Sequence, residues 1–435
     1  MAVEGDFFMN TDRNMQQWLP CQSRCELAGA AAFFLSITDS AVLINGPRWC
    51  AMIAEREMAG TEKKYERRIF CSEMAEIDLL YGADDVLPDA LSEVHAEQNP
   101  ALIAVLNSCS VSLIGDDLAG ICRQARTKCL ILPMDAGGLR GEFWTGYQDA
   151  AIKLLEALPL NKQAVREKMR VNIIGWCTCY PNWQGDLIEI KRMLKNIGIE
   201  VGVCLGADET SFDSLLTLPQ AACNLVLYPE LGEKIAAWLK KNCGQENFIA
   251  PIPYGMHASL IWLENVAKYL GLAPDFSCLA AEVQVYQEKT DAAIFQIKVN
   301  NKNIAFGDAY IALPYGAAIG VIKAMQEEFP DIEDIYLRIE GPTISNKVYD
   351  VLGVKQWERN CQIDMKPQAV HIVIGNAQTR VEAEHYQQVV FKNMLLPIQS
   401  VVINERPYAG IRGWRYLLAE LLDGFQTMVY LNPTR

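Results

Sequence analysis

Residues 105–121 read "VLNSCSVSLIGDDLAGI". An apolar run closes on Asn107-Ser108-Cys109, and an amphipathic helical pattern begins at once, with Asp116 and Asp117 near its start. A strand that runs straight into a helix is the building unit of layered α/β folds with parallel sheets. In open sheets of that kind, ligands sit outside the carboxyl ends of the strands. A thiol on such a hinge is a small buried residue, a nucleophile or a ligand, and Cys109 alone does not decide between them.

The same unit recurs outward from this stretch in three blocks. "SAVLING", "ALIAVLNS" and "KCLILPMD" read as strands of the first. The second begins at "RVNIIGW" and continues through "IKRMLKNIGIEVGVCLGAD", "CNLVLYP" and "ENFIAPIPYG". The third takes in "IFQIKVNNKNIAFGD", "DIYLRI", "AVHIVIG" and "IQSVVIN", and ends in a helix near "GWRYLLAELLDGF". At 435 residues the chain exceeds what one core supports. The expectation is three Rossmann-like α/β domains, at 1–165, 166–285 and 286–435, without a low-complexity linker between them.

Composition narrows the function classes. Apolar residues make up 51% and charged residues 21%, and no apolar run is long enough to cross a bilayer. The first twenty residues are acidic and lack the basic-then-apolar order of a secretory signal, so a cytoplasmic location is expected. A net charge of −14 argues against nucleic acid and an anionic membrane surface as partners. Fourteen cysteines in such a chain favour metal binding or catalysis over disulfides.

Three of them fall where a parallel-sheet fold presents ligands. Cys25 opens "CELAGAAAFFL", Cys50 closes "GPRWC" after the strand "AVLIN", and Cys109 follows "ALIAVLNS". Each lies near an expected helix start, where unpaired backbone N–H groups favour a thiolate and an anionic group attached to it. Iron–sulfur clusters commonly take four cysteines, so a set of three implies a fourth ligand from elsewhere, such as a second subunit.

These residues carry a family resemblance. "CELAGAAAFFLSITDSAVLINGPRWC", "CSEMAEIDLLYGADDVL" and "NSCSVSLIGDDLAGI" resemble the first-domain motifs of nitrogenase component 1 type subunits. That family includes the molybdenum–iron protein, its cofactor-assembly scaffold and the dark-operative protochlorophyllide reductase. "VNIIGWCTCYPNWQGDLIEIKRMLKNIGIEV", "CNLVLYPELGEKIAAWL" with "PIPYGMHAS", and "INERPYAGIRGW" resemble its later segments. The resemblance implies three α/β domains and pairing with a homologous subunit, identical or distinct, as a dimer or an α2β2-like tetramer. It also implies an iron–sulfur cluster on Cys25, Cys50 and Cys109, either 4Fe–4S or a larger P-cluster-like form. Electrons would come from a separate ATP-hydrolysing iron protein, which makes the chain a reductase subunit. A scaffold for metallocofactor assembly without substrate turnover is the alternative.

Departures from the family are equally specific. The cysteine and histidine that hold the large nitrogenase cofactor align near Leu227-Tyr228 and Ser400-Val401, where this chain has neither residue. Cys21 and Cys71 are additional thiols, either of which could complete or widen the cluster; both also read as ordinary thiols of a thiol-rich chain.

Other candidates are weaker. No "GxxxxGK[ST]" phosphate loop occurs, so ATP hydrolysis is left to a partner. "DAGGLRGEFWTG" lacks a full dinucleotide fingerprint and reads as a backbone loop near a cluster or partner. Asp116 and Asp117 read as helix-start carboxylates, and His257 as a loop or capping group with a possible proton-donor role. Glu405, Arg406 and Arg412 read either as lining for an anionic-substrate or cofactor pocket or, by default, as surface or interdomain ion-pairing residues, and Cys177/Cys179 as a C-x-C pair with a low claim to cofactor contact.

Overall fold

The computed structural model describes residues 25–431 apart from 59–62, 76–85, 116, 126, 181, 302–304, 330, 343–360, 364–369, 384–388 and 395–405. Three wholly parallel sheets organise it. The first contains β1 (Ser40–Asn45), β2 (Ile69–Cys71), β3 (Leu102–Asn107) and β4 (Leu130–Asp135) in the order β2-β1-β3-β4. β1 and β3 are buried along their whole length, which is why their sequences are unbroken apolar runs and not alternating ones.

The second sheet contains β5 (Glu167–Ile174), β6 (Glu200–Cys204), β7 (Ala221–Val226) and β8 (Glu246–Ile249) in the order β6-β5-β7-β8. In the third, β9 (Gly307–Leu313), β10 (Ile332–Ile339), β11 (Cys361–Ile363), β12 (Ile372–Gly375) and β13 (Val390–Asn393) run in the order β11-β10-β9-β12-β13. Each sheet starts on an inner strand, builds to one side and then returns to the other. The reversals lie at β1/β3, β5/β7 and β9/β12, and a crevice opens at the carboxyl ends of such pairs.

The helix Glu26–Leu35 is buried on every side and lies against Phe143–Ala157. Glycine makes that approach possible. A Cβ on Gly29 would strike the Phe143 carbonyl, and one on Gly146 would strike the Glu26 carbonyl. Phe143–Ala157 also packs on Pro229–Cys243, so the first and second units share one core.

The expected α/β class with parallel sheets flanked by helices is what is found. One segment differs. "IFQIKVNNKNIAFGD" reads as a strand in the sequence, yet Ile294 and Ile297 lie on the buried face of the helix Ser277–Asn300, and the strand begins only at Gly307. Ile294 and Ile297 stand three apart, a helical spacing that its β-branched content obscures. Among the described residues no helix is long and apolar enough to cross a membrane.

Candidate metal centre

β1 and β3 end side by side on Asn45 and Asn107, at the reversal point of the first sheet. The Asn45 side-chain amide donates to Asn107 Oδ1 at 3.0 Å. Ser72, just past β2, donates to Asn45 Oδ1 at 3.0 Å and accepts from the Gly46 amide at 3.0 Å. These bonds satisfy buried polar groups and tie three strand ends together. Gly46 is needed there because a Cβ would run into the Ser108 side chain.

Above this floor stand the thiols. Cys25 precedes the helix Glu26–Leu35, its carbonyl accepting from the Ala28 amide at 3.1 Å, and its backbone bridges that of Glu142. Cys50 lies in the first turn of Arg48–Met58, and Cys109 is the first residue of the short helix Cys109–Ile114. All three are half-buried. Gly138 lies between two of them: its amide donates to Cys109 Sγ at 3.0 Å, and a Cβ there would lie 2.6 Å from Cys25 Cβ and 3.7 Å from Cys109 Sγ. Burial, and then the neighbouring Cys109, Cys25 and Cys71, push the Cys50 thiol up to about 11. Four cysteines therefore share one neighbourhood.

Cys71 is at the end of β2, its thiol donating to the Gly46 carbonyl at 3.4 Å and accepting from the Glu73 amide at 3.4 Å; burial raises its pKa. Cys21 lies outside the described residues. Sequence reasoning missed Glu26, a buried acid beside Cys25 whose Oε2 has no hydrogen-bond partner and whose pKa burial raises. No pattern marked it.

Among the described residues, no three Cys, His, Asp or Glu side chains converge as one metal ion would require. Thiolates of a polynuclear cluster bind separate irons, so they must surround a space instead of meeting at a point. Three half-buried thiols, an amide aimed at one of them and the absence of a Cβ at Gly138 fit the protein side of such a group. The segments that carry the thiols are also apolar on their outer side: Trp49 is 67%, Leu113 75% and Leu139 73% exposed.

A second polar site lies where β7 ends. Tyr180, Asp186, Tyr228, Tyr254, Pro314, Ala317, Met394 and Tyr408 enclose a space of about 10 Å³, room for roughly one water. Burial pushes Asp186 up to about 7, although it accepts from the Tyr408 and Ala409 amides at 2.5 and 2.8 Å. Burial likewise pushes Glu230 up to about 7; it accepts from the Gly316 amide at 3.1 Å. Tyr228 and Tyr254 are raised by burial. Leu227 and Tyr228, near which the resemblance sets the family's cofactor cysteine, are both buried, and Tyr228 is part of the wall.

The remaining candidates lie elsewhere in the fold. Asp117 caps the helix Leu118–Gln124, accepting from the Gly120 amide at 2.9 Å. Cys177 and Cys179 are core residues, and His257 is exposed. Arg412 pairs with Glu282 at 2.6 Å, and the Arg406 carbonyl accepts from Asn182 at 2.6 Å. Asp116, Glu405, Ser400 and Val401 lie outside the described residues.

The family model described as nitrogenase component 1 type oxidoreductase matches residues 25–426. The chain is 28% identical over 279 residues to the nitrogenase iron-molybdenum cofactor biosynthesis protein NifE of Methanococcus maripaludis, covering 62% of this chain and 56% of that one. It is 28% identical over 249 residues to a light-independent protochlorophyllide reductase subunit of Rhodopseudomonas palustris strain TIE-1, covering 54% and 45%. The match thus spans about half the length of these curated relatives. The solved structure titled nitrogenase Cp1 at pH 6.5 superimposes with a TM-score of 0.76 over 94% of each chain at 15% identity, a likeness of fold.

Proposed function

For a chain that belongs to the nitrogenase component 1 type oxidoreductase family, we propose that Cys25, Cys50 and Cys109 hold an iron–sulfur cluster where this subunit meets a homologous one. In this reading the protein is the reductase subunit of a cytoplasmic multi-protein oxidoreductase. A separate ATP-hydrolysing iron protein delivers the electrons. When bound, the cluster supplies a one-electron relay toward the acceptor.

The chain's own residues prepare that site. The Asn45–Asn107–Ser72 bonds hold the strand ends, and with them Cys109 and the turn to Cys50, in fixed register. The Gly138 amide stabilises negative charge on Cys109 Sγ, one of the levers that sets a cluster's potential. Trp49, Leu113 and Leu139 exclude water once a partner subunit covers them. Cys71, which interacts electrostatically with Cys50, is the candidate for a further thiolate in this reading. The observation that carries this reading is the meeting of Cys25 and Cys109 at Gly138 beside Cys50.

The test is iron and sulfide content, with EPR of the dithionite-reduced form, on anaerobically purified wild type and Cys109→Ala. Iron and a reduced-cluster signal in the wild type that vanish in the variant support the proposal. Full iron retention without Cys109 overturns it.

A second reading, a scaffold that holds a maturing cluster without turning over a substrate, is favoured by the filled space beside Tyr228 and by the relatives named as cofactor biosynthesis proteins. Sustained reductive turnover of a small molecule with a cognate iron protein would exclude it.

A further inference from the structure

A second space opens at the carboxyl edge of the first sheet, beside the ends of β3 and β4. It measures about 200 Å³, and of the described residues that line it none is a cysteine. Close-packed interiors keep few voids larger than a water. A cavity of about 150 Å³ takes benzene, so this one has room for a ring and a small polar group. One wall is apolar, made by Val111, Leu118, Ala119 and Pro133. Gly115, at φ +81°, stands at the rim, where a Cβ would meet nothing within 4 Å. It is the backbone turn that calls for glycine there, and the rim stays low as a result.

The polar lining has an imbalance. Asn107 is only 4% exposed. Its Oδ1 accepts from Asn45 at 3.0 Å, while its Nδ2 has no hydrogen-bond partner among the described residues. Lys153 is exposed, and its ammonium pairs with no carboxylate among the described residues. The acceptors, by contrast, are taken. Asp135 Oδ1 accepts from the Ser112 hydroxyl, and Oδ2 from Arg140 at 2.9 Å. The same guanidinium donates to the Asp135 carbonyl at 3.1 Å, so the carboxylate is neutralised in place. Donors are left over, and a ligand must bring acceptors.

We propose that this cavity binds a small carboxylate with a compact apolar body. The carboxylate oxygens accept from Asn107 Nδ2 and Lys153 Nζ, a charge-assisted pairing, and the body lies against Val111, Leu118, Ala119 and Pro133. A bare inorganic anion would leave that wall uncovered, and a cation would meet Lys153 with no free acceptor. The arrangement is the usual one of a mostly apolar pocket with a few convergent polar groups, at the strand ends where parallel sheets take ligands. Ser112 is one helical turn from Cys109, yet the binding needs no metal, so it stands or falls apart from the cluster reading.

The test is titration calorimetry of the full chain with benzoate, benzamide and benzylamine, which share a ring and differ in charge. Benzoate is expected to bind saturably at one site per chain and at least tenfold more tightly than benzamide, with no binding of benzylamine. Lys153→Met, at an exposed position, is expected to weaken benzoate at least tenfold and leave benzamide unchanged. Ala119→Phe fills the cavity and is expected to abolish both. No saturable benzoate binding at millimolar concentration, or an affinity unmoved by Lys153→Met, would overturn the site. Benzamide or benzylamine binding as tightly as benzoate would overturn the assignment to an anion. Absence of iron from every sample would fail the cluster proposal and leave this comparison intact.

Discussion

The carboxyl ends of the first and second sheets present the same crevice at the same topological reversal, finished in opposite ways. At β1/β3 the wall is thiols, glycine and exposed apolar side chains, half-open to solvent. Beyond β7 the corresponding space is closed by four tyrosines and a buried acid, Asp186, with barely room for a water. One end stands open; the other is closed by the chain's own side chains. What distinguishes them is side-chain chemistry on a shared scaffold.

Breaking each end separately sharpens that contrast. Cys109→Ala is expected to remove nearly all iron while leaving the melting temperature close to wild type, since its thiol serves the open end and not the core. Asp186→Ala should do the reverse. It removes the acceptor of the buried Tyr408 and Ala409 amides, so a loss of about 3 kcal/mol is expected in denaturant unfolding, with iron per chain retained.

The closed end should also make stability depend on pH. Asp186 and Glu230 are raised from 3.8 and 4.5 to about 7 when folded, chiefly by burial. Between these limits the folded chain holds protons that the unfolded chain releases. Stability is therefore greatest below the unfolded values and falls as pH rises toward 7. Asp186→Asn keeps an acceptor for the two amides but no longer titrates, and should flatten this slope by about 2 kcal/mol between pH 5 and 7. A slope unchanged by the substitution would assign the proton elsewhere. The smallest effect is expected at the open rim: Trp49→Ser should change folding stability by no more than about 0.5 kcal/mol. It should weaken association with the homologous subunit by about 1–2 kcal/mol, read by titration calorimetry.

The open end was legible in the sequence and the closed one was not, for a physical reason. Cys50 and Cys109 follow apolar strands and Cys25 opens a helical run, so local pattern placed each at a helix start, where the structure has it. Tyr180, Asp186, Tyr228, Tyr254 and Tyr408 belong to separate elements of two units and meet only through the packed fold. No spacing announces such a meeting. Cys177 and Cys179 show the converse: a conspicuous pair turned out to fill the core. Strand β2, only three residues long, was too short for periodicity to reveal, and with it the position of Cys71.

The tie between Asp186 and the Tyr408 amide joins residues 222 positions apart. On a ribosome adding about 5–20 residues per second, Tyr408 emerges roughly 10–40 s after Asp186. Once Ile249 has emerged, for the rest of that interval, the second sheet can be complete while Asp186 still waits for its donors. Glu189 waits too, since its Oε1 accepts from the Arg412 amide at 3.0 Å. Closure of the middle of the molecule therefore waits on Tyr408, Ala409 and Arg412. A premature stop shortly before residue 408 would leave a chain with Cys25, Cys50 and Cys109 in place and a centre that never closes.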